Sequence, residues 1–133
     1  MLYQLVKTAK ADAEKRFSAA KISVTPLQYG ILVLIKSKPI TIKEMAKTFS
    51  MQPPSLVPLV DVLEDEKYLL RKPDKKDRRN LNLVITKKGT QLLSKFPMGD
   101  SESGLNKAFS KLSVAKQKQL LELLKELNNN FPV

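Results

Sequence analysis

The sequence predicts a mainly α-helical protein with one small β hairpin, an α+β fold in a single domain. The length of 133 residues suits one compact domain, and 42% hydrophobic with 28% charged residues is typical of a globular chain. Apolar residues recur at helical spacing over most of the chain, and several of these segments begin with capping residues. Between about residues 68 and 85 the spacing changes to the alternation of a β-strand, which predicts the hairpin.

The first predicted helix runs from about residue 2 to residue 20 and carries a narrow apolar stripe. The stripe comprises Leu2, Leu5, Val6, Ala9, Ala13, Phe17 and Ala20. Because the charged residues fall mostly outside the stripe, the predicted helix is amphipathic. Such a stripe is suited to packing on its own domain or on a helix of a partner chain.

Two capping boxes predict the next two helices. Thr25 precedes Gln28 by three residues, and Thr41 precedes Glu44 by three, so each pair can satisfy two backbone amides of a helix start. The first box opens a helix that is apolar on nearly all sides and therefore buried; the second opens a helix of about two turns with one buried face. After a tight turn at residues 50–53, apolar spacing continues to about residue 66. Two short helices joined by a tight turn predict a helix-turn-helix.

The two strands of the hairpin follow directly after these helices. They are predicted from Tyr68 to Lys72 and from Leu81 to Ile85, and the second alternates apolar side chains along one face. The loop between them has the sequence PDKKDRRN and is strongly polar. A two-stranded hairpin directly after a helix-turn-helix is a wing.

The C-terminal third is predicted to return to helices. Thr86 caps a helix that extends to about Phe96, where residues 97–100 (PMGD) interrupt it. Helical spacing resumes at residues 105–112, and Ser113 caps a last helix. The apolar side of that helix comprises Leu120, Leu121, Leu124, Leu127 and Phe131. The apolar faces at the two ends of the chain suit a dimer interface, and the alternative is that they pack on each other within one chain.

The charge and the missing residue types limit the function. A net charge of +11 indicates a partner of opposite charge, usually nucleic acid, and the alternative from composition alone is a basic protein without such a partner. The chain has no Cys and no His, which excludes disulfides, thiolate zinc sites and the commonest general base. No metal or other cofactor is predicted, and no glycine-rich phosphate loop or nucleophile motif indicates an enzyme.

Membrane association is not expected. No apolar run reaches the roughly 18 residues that a membrane span requires. The first residues also lack the pattern of a signal peptide. The cytoplasm is the expected location.

Residues from Thr25 to about Leu93 resemble the MarR family of bacterial transcription regulators. The resemblance rests on the segments TPLQYGILVLI, TIKEMAKTF and LVDVLEDEKYLLRKPDKKDRRNLNLVITKKG, and its most specific part is the DRR of the wing followed by ITKKG. It implies one MarR-like domain over 1–133, with a winged helix-turn-helix lobe at about 25–93 and dimerisation helices at about 1–20 and 101–133. It further implies a homodimer that binds double-stranded DNA, as a ligand-responsive repressor.

The resemblance implies that the wing contacts DNA. Arg79 is expected in or near the minor groove, and Asp77 is expected to orient an arginine by a charge-assisted bond. The phosphate contacts are expected from Lys75, Lys76 and Arg78, and Arg71 is a further expected DNA-binding residue of the wing. The alternatives are that the wing is a solvated charged loop and that Asp77 only forms its turn.

The second helix of the helix-turn-helix, at about residues 52–66, is expected in the major groove, but it departs from the family pattern. Family members usually present Ser, Thr and Arg on its outer face. Here the outer positions are Gln52, Pro54, Ser55, Val57, Pro58, Asp61 and Val62. Three of them suit DNA: Gln52 an adenine, Ser55 a base or phosphate, and Val57 a thymine methyl. Pro58 predicts either a helix that starts late, with Ser55 as its cap, or a kink.

The family resemblance also implies a small, often aromatic and anionic, effector bound between the dimer region and the DNA lobe. Candidate ligand residues are Lys7, Arg16, Phe17 and Tyr29, although the two rings also suit the core and the two cations also suit the surface. A rival hypothesis is a degenerate MarR-like dimer that acts as a protein-interaction or nonspecific DNA-binding module. An enzyme is the third and weakest hypothesis.

Overall fold

The computed structural model describes residues 1–95 and 103–132 of the chain. Its elements, in chain order, are α1 (Leu2–Ala19), α2 (Pro26–Ser37), β1 (Ile40–Thr41), α3 (Ile42–Phe49), α4 (Pro53–Asp65), β2 (Leu69–Pro73), β3 (Leu81–Ile85), α5 (Lys87–Ser94), α6 (Gly104–Ser110) and α7 (Val114–Asn129). The prediction of a mainly helical protein with a small antiparallel sheet is confirmed.

The chain divides into two compact units. The first comprises Met1–Asp12 and the described part of Gly99–Val133, and the second comprises Ala13–Met98. The predicted winged helix-turn-helix lobe at about 25–93 therefore lies within the second unit. Helix α1 contributes residues to both units.

Helix starts follow the predicted capping residues. Thr25 accepts from the Gln28 amide at 3.2 Å while the Gln28 side chain accepts from the Thr25 amide at 3.0 Å. Thr41 and Glu44 form the same reciprocal pair at 3.2 and 2.9 Å. Each box satisfies two amides that have no partner inside the helix, which fixes where the helix begins. Single side-chain caps are made by Thr86 at α5, Ser103 at α6 and Ser113 at α7.

The sheet has three antiparallel strands in the order β1-β3-β2, so the predicted two-stranded hairpin was incomplete. Strands β2 and β3 pair from Leu69↔Ile85 to Pro73↔Leu81. The additional strand β1 pairs Ile40 with Leu83. A strand of two residues carries no alternation of its own, and its pairing partner lies about forty residues further along the chain. It connects the start of α3 directly to the sheet.

The core of the second unit is formed around α2. Nine large side chains of this unit are fully buried, and α2 supplies three of them. The nine residues are Ile31, Leu32, Ile35, Met45, Leu56, Val60, Leu63, Leu69 and Leu83. They come from α2, α3, α4 and the sheet, so the helix-turn-helix and the wing share one aliphatic core. Gln28 is the buried polar residue of this core, and its amide group also donates to the Leu59 carbonyl at 3.5 Å.

Helix α4 begins at Pro53, and the predicted late start with Ser55 as cap is wrong. Gln52 is the N-cap and makes no side-chain capping bond, and the two prolines occupy the first helical positions. Prolines are favourable there because their missing N–H groups would have no helical partner and their φ is already helical. Pro58 is consequently inside the helix, where its nitrogen cannot donate to the Pro54 carbonyl.

The remaining C-terminal predictions have mixed outcomes. Leu92 and Leu93 are buried on α5, which ends at Ser94. Phe96 and the predicted interruption at 97–100 lie outside the described residues. Helix α7 ends at Asn129, so Phe131 follows the helix instead of belonging to it.

The helices of the first unit bury none of their apolar side chains. Neither α6 nor α7 contains a buried residue. The exposed large apolar residues of this unit include Leu2, Leu5, Val6, Leu105, Phe109, Leu120, Leu121, Leu123, Leu124, Leu127 and Phe131. No helix in the described ranges is long and apolar enough to cross a membrane.

Candidate nucleic-acid interface

The turn between α3 and α4 gives the helix-turn-helix its shape. Ser50 ends α3 in the left-handed conformation with φ 52°, and the Met51 amide donates to the Ala46 carbonyl at 2.9 Å. These bonds satisfy carbonyls at the helix end and reverse the chain within a few residues. On α3, Lys43 and Lys47 are exposed, opposite the face that buries Met45 and Ala46.

The wing, defined as β2, β3 and the loop at residues 74–80, is organised by its two aspartates. The Asp74 amide donates to the Asn80 carbonyl at 2.9 Å, which closes the loop. Asp74 Oδ1 accepts from the Lys76 amide at 2.8 Å. The Asn80 amide donates to the Asp77 carbonyl at 3.0 Å. A carboxylate that accepts an amide two residues further on is an Asx turn, and it fixes the local backbone.

Asp77 and Arg79 form a bidentate pair. Arg79 Nε donates to Asp77 Oδ1 at 3.0 Å and its Nη2 donates to Oδ2 at 3.1 Å. The Arg79 amide also donates to Oδ1 at 3.1 Å, so Asp77 forms the turn and orients the guanidinium at once. The guanidinium and then the amide lower the pKa of Asp77. The Arg79 side chain is 90% exposed, so the pair presents a fixed planar cation to solvent.

The other basic residues of the wing fall into two groups. Lys75, Lys76 and Arg78 are exposed around the loop. Arg71, in contrast, is only 20% exposed and makes ion pairs with Asp61 and Glu64 of α4. Burial lowers the pKa of Arg71, but these hydrogen bonds and charges outweigh burial and raise it. The structure therefore gives Arg71 carboxylate partners within its own chain, and its expected DNA contact stays a prediction.

The outer face of α4 is poor in hydrogen-bonding groups and carries no Lys or Arg. Gln52 and Ser55 are exposed at its start, and Val57 is 38% exposed one turn further on. The three acids of the helix, Asp61, Glu64 and Asp65, lie in its C-terminal half. The three candidate base contacts are thus accessible, and they lie in the N-terminal half of the helix, ahead of its acids.

Two DNA-facing candidates were missed by sequence reasoning. Lys43 and Lys47 of α3 line a groove of about 590 Å³ together with Arg71 and Arg79. Their spacing of four residues, on the side of α3 away from its apolar positions, was the available signal. The groove, which Glu44 and Asp74 also line, joins the outer face of α3 to the wing and brings exposed cations beyond the loop.

The candidate effector residues differ in burial. Phe17 and Tyr29 are buried and pack edge to face with ring centroids 5.1 Å apart. The Tyr29 hydroxyl donates to the Leu93 carbonyl at 3.1 Å, and burial raises the pKa of Tyr29. Lys7 is exposed and Arg16 is half-buried. Both rings therefore have a packing role. Within the described residues, no cluster of acidic side chains could hold a metal ion.

Comparisons with known proteins agree with this geometry. The sequence pattern of the MarR family matches residues 24–81. The chain is 29% identical over 103 residues to the HTH-type transcriptional regulator YkoM of Bacillus subtilis, a match that covers 76% of this chain and 66% of that protein, just under two thirds of its length.

Solved structures extend the similarity to nearly the whole chain. The transcriptional regulator Tm0710 from Thermotoga maritima is 31% identical, with a TM-score of 0.59, over 96% of this chain and 89% of that one. MepR of S. aureus, solved as a DNA complex, has a TM-score of 0.84 at 22% identity over 98% and 96% of the two chains, which shows the fold. The matched proteins are transcription regulators, which confirms that the chain is not an enzyme. The chain belongs to the MarR family of transcriptional regulators.

Proposed function

We propose that the protein binds double-stranded DNA as a homodimer and represses transcription, with the wing in the minor groove and α4 in the major groove. The observation that carries the proposal is Arg79, which Asp77 holds in a fixed orientation while 90% of its side chain faces solvent. A planar guanidinium suits the electronegative floor of a narrow minor groove. Because the proposed partner is chromosomal DNA, the protein is expected in the cytoplasm.

The positions of the other cations support the same surface. Lys75, Lys76 and Arg78 surround Arg79 on the loop, and Lys43 and Lys47 lie across the groove on α3. Lysines on both sides of a groove-directed arginine are suited to the phosphates on either side of a minor groove. We therefore assign Arg79 to the groove and the surrounding cations to the backbone.

DNA binding is tested by fluorescence anisotropy with the DNA upstream of the protein's own gene and a scrambled duplex of equal length, across a salt series. Arg79→Ala is expected to weaken binding by about tenfold to a hundredfold. Lys15→Ala, which removes an exposed charge on α1, is the matched control and should change affinity little. No binding at low salt, or equal effects of the two variants, would refute the wing assignment.

Sequence preference decides between the main proposal and a second candidate function. Because α4 has no Lys or Arg and two prolines on its exposed surface, nonspecific DNA binding or a protein-interaction role is the alternative. A preference of at least about a thousandfold for the native duplex supports a specific regulator. Equal binding to both duplexes supports the nonspecific module, and no binding to either supports the interaction module.

The homodimer is supported by the unburied apolar faces of the first unit. Phe109, Leu120, Leu121 and Leu124 line a mostly apolar groove of about 270 Å³ between α6 and α7. Exposed faces of this kind are typical of subunit interfaces. Leu124→Glu is expected to give monomers in sedimentation velocity. Ala115→Glu, nine residues earlier and on the opposite side of α7, is the control; dimers in both variants would exclude this face.

Effector response stays a prediction of the family resemblance. A small aromatic or anionic molecule is expected to lower DNA affinity, and Lys7 and Arg16 are the candidate polar contacts. Screening small aromatic acids for release of labelled DNA from the protein tests the prediction. If the protein keeps its DNA with every acid at millimolar concentration, the predicted effector response is contradicted.

A further inference from the structure

Arg71 differs from every other basic residue described in the wing. Its Nη1 donates to the Glu64 carboxylate and its Nη2 donates to Asp61 Oδ1, while its amide donates to Glu64 Oε1 at 3.3 Å. Its side chain is 20% exposed, against 90% for Arg79. Two of its guanidinium nitrogens already donate to carboxylates of its own chain, which leaves fewer donors for phosphates.

The two carboxylates lie on a helix that carries no compensating charge of its own. Asp61 follows Val57 by four residues, on the same exposed side of α4, and its side chain is 52% exposed. Helix α4 has three acids and neither Lys nor Arg. Without Arg71, Asp61 and Glu64 would repel the phosphate backbone as the helix approached DNA.

The position of Arg71 also joins two elements that must bind DNA together. It lies in the middle of β2, and its partners are three residues apart on one side of α4. A guanidinium can bridge two carboxylates because its donors form a planar fork. The orientation of α4 relative to the wing is therefore held by side-chain bonds in addition to the shared core.

We propose that Arg71 is a positioning residue, which holds α4 to the wing and offsets one of the two negative charges of Asp61 and Glu64, and that it does not itself contact DNA. This inference rests on the proposed DNA binding. It predicts that the loss of DNA affinity caused by Arg71→Ala depends on the presence of the two acids. If Arg71 bound a phosphate directly, the loss would be the same with or without them.

The test is a double-mutant cycle of wild type, Arg71→Ala, Asp61→Asn with Glu64→Gln, and all three changes together. Anisotropy gives the dissociation constant of each protein for the same duplex. Arg71→Ala is expected to weaken binding about tenfold when the acids are present and less than about twofold when they are amides. The same loss in both backgrounds, or no loss with the acids present, overturns the proposal.

Salt dependence gives a second measurement that a purely structural role would not change. Loss of a direct phosphate contact lowers the slope of log affinity against log salt by about 0.9. We expect no such change from Arg71→Ala in the amide background. Arg79→Ala is the control, and it should weaken binding equally in both backgrounds. A slope change for Arg71→Ala in the amide background indicates a direct contact and overturns the proposal.

Failure of the proposed function can be distinguished from failure of this inference. If the wild-type protein does not bind DNA, or Arg79→Ala has no effect, the proposed function fails. Thermal unfolding of the same four proteins then tests whether Arg71 pairs with Asp61 and Glu64. Arg71→Ala should lower the melting temperature more with the acids than with the amides, and equal shifts would overturn the pairing as well.

Discussion

Gly89 is expected to resist substitution because an added methyl group has no room. A Cβ on this residue would lie 2.3 Å from the Tyr68 carbonyl oxygen and 2.7 Å from Ile85 Cγ1. Neither atom can move freely, since the Tyr68 carbonyl accepts from the Thr86 amide at 3.1 Å and Ile85 pairs with Leu69 in the sheet. Overpacking of this kind costs about 3 kcal/mol, at the upper end of its range. Alanine regains about 1 kcal/mol of helix propensity, so Gly89→Ala should destabilise the fold by about 2 kcal/mol.

Gly30 provides the matched control. It lies in the middle of α2, and a Cβ there would meet only the Phe49 ring at 3.8 Å, an ordinary van der Waals contact. Gly30→Ala should therefore stabilise the protein by up to about 1 kcal/mol. Thermal unfolding followed by circular dichroism, at one fixed protein concentration, should show Gly89→Ala melting about 6–10 °C below wild type. A melting temperature at or above wild type for Gly89→Ala would refute the reasoning.

Three further predictions concern a cap, a proline and a carboxylate. Thr86 caps α5 and donates to the Lys67 carbonyl at 2.6 Å, so Thr86→Ala should cost about 1–2 kcal/mol in urea unfolding, and a loss below about 0.5 kcal/mol would contradict the role. Pro58→Ala restores a helical N–H and should stabilise the folded protein by about 1–2 kcal/mol. Pro54→Ala, at the helix start, is the control and should not stabilise it. Destabilisation by Pro58→Ala would show that Pro58 fits its site. Because Arg79 lowers the pKa of Asp77, the pair is intact above the ordinary aspartate range and is lost only as pH falls through the lowered pKa. DNA affinity should therefore be flat from about pH 8 to pH 5, and a transition near neutral pH would implicate another group.

The elements that the sequence could predict are those whose causes lie within a few residues. Thr25, Thr41, Thr86 and Ser113 all cap the helices expected of them, because a cap needs only a hydroxyl and an amide two or three residues away. The hairpin strands were predicted to within one residue at each end. Alternation and the polar loop between them are equally local.

The features that escaped prediction depend on distant partners. Strand β1 exists because Ile40 meets Leu83, and nothing within two residues of Ile40 signals that pairing. The partners of Arg71 lie seven and ten residues earlier, on a helix whose rotation about its axis is fixed by core packing. The late start inferred for α4 was wrong for another reason: Pro58 was weighed more heavily than the pair Pro53-Pro54, which defines the helix start within the predicted range of about 52–66.

The composition of the DNA-facing surface predicts a preference for A·T-rich sites. Helix α4 exposes Val57 and two prolines where other DNA-recognition helices carry hydrogen-bond donors. Apolar side chains in the major groove discriminate between bases mainly by contact with the thymine methyl group. Arg79, in the minor-groove position that we propose for it, would favour the narrow grooves of A-tracts. Both contacts select the same base composition, one by methyl groups and one by groove shape. Replacing thymine by uracil removes only the methyl group, so affinity for an A·T-rich duplex should fall on this replacement, and Val57→Ala should abolish the difference. Equal affinity for the two duplexes would mean that α4 does not contact thymine methyl groups and that A·T preference, if observed, comes from the wing alone.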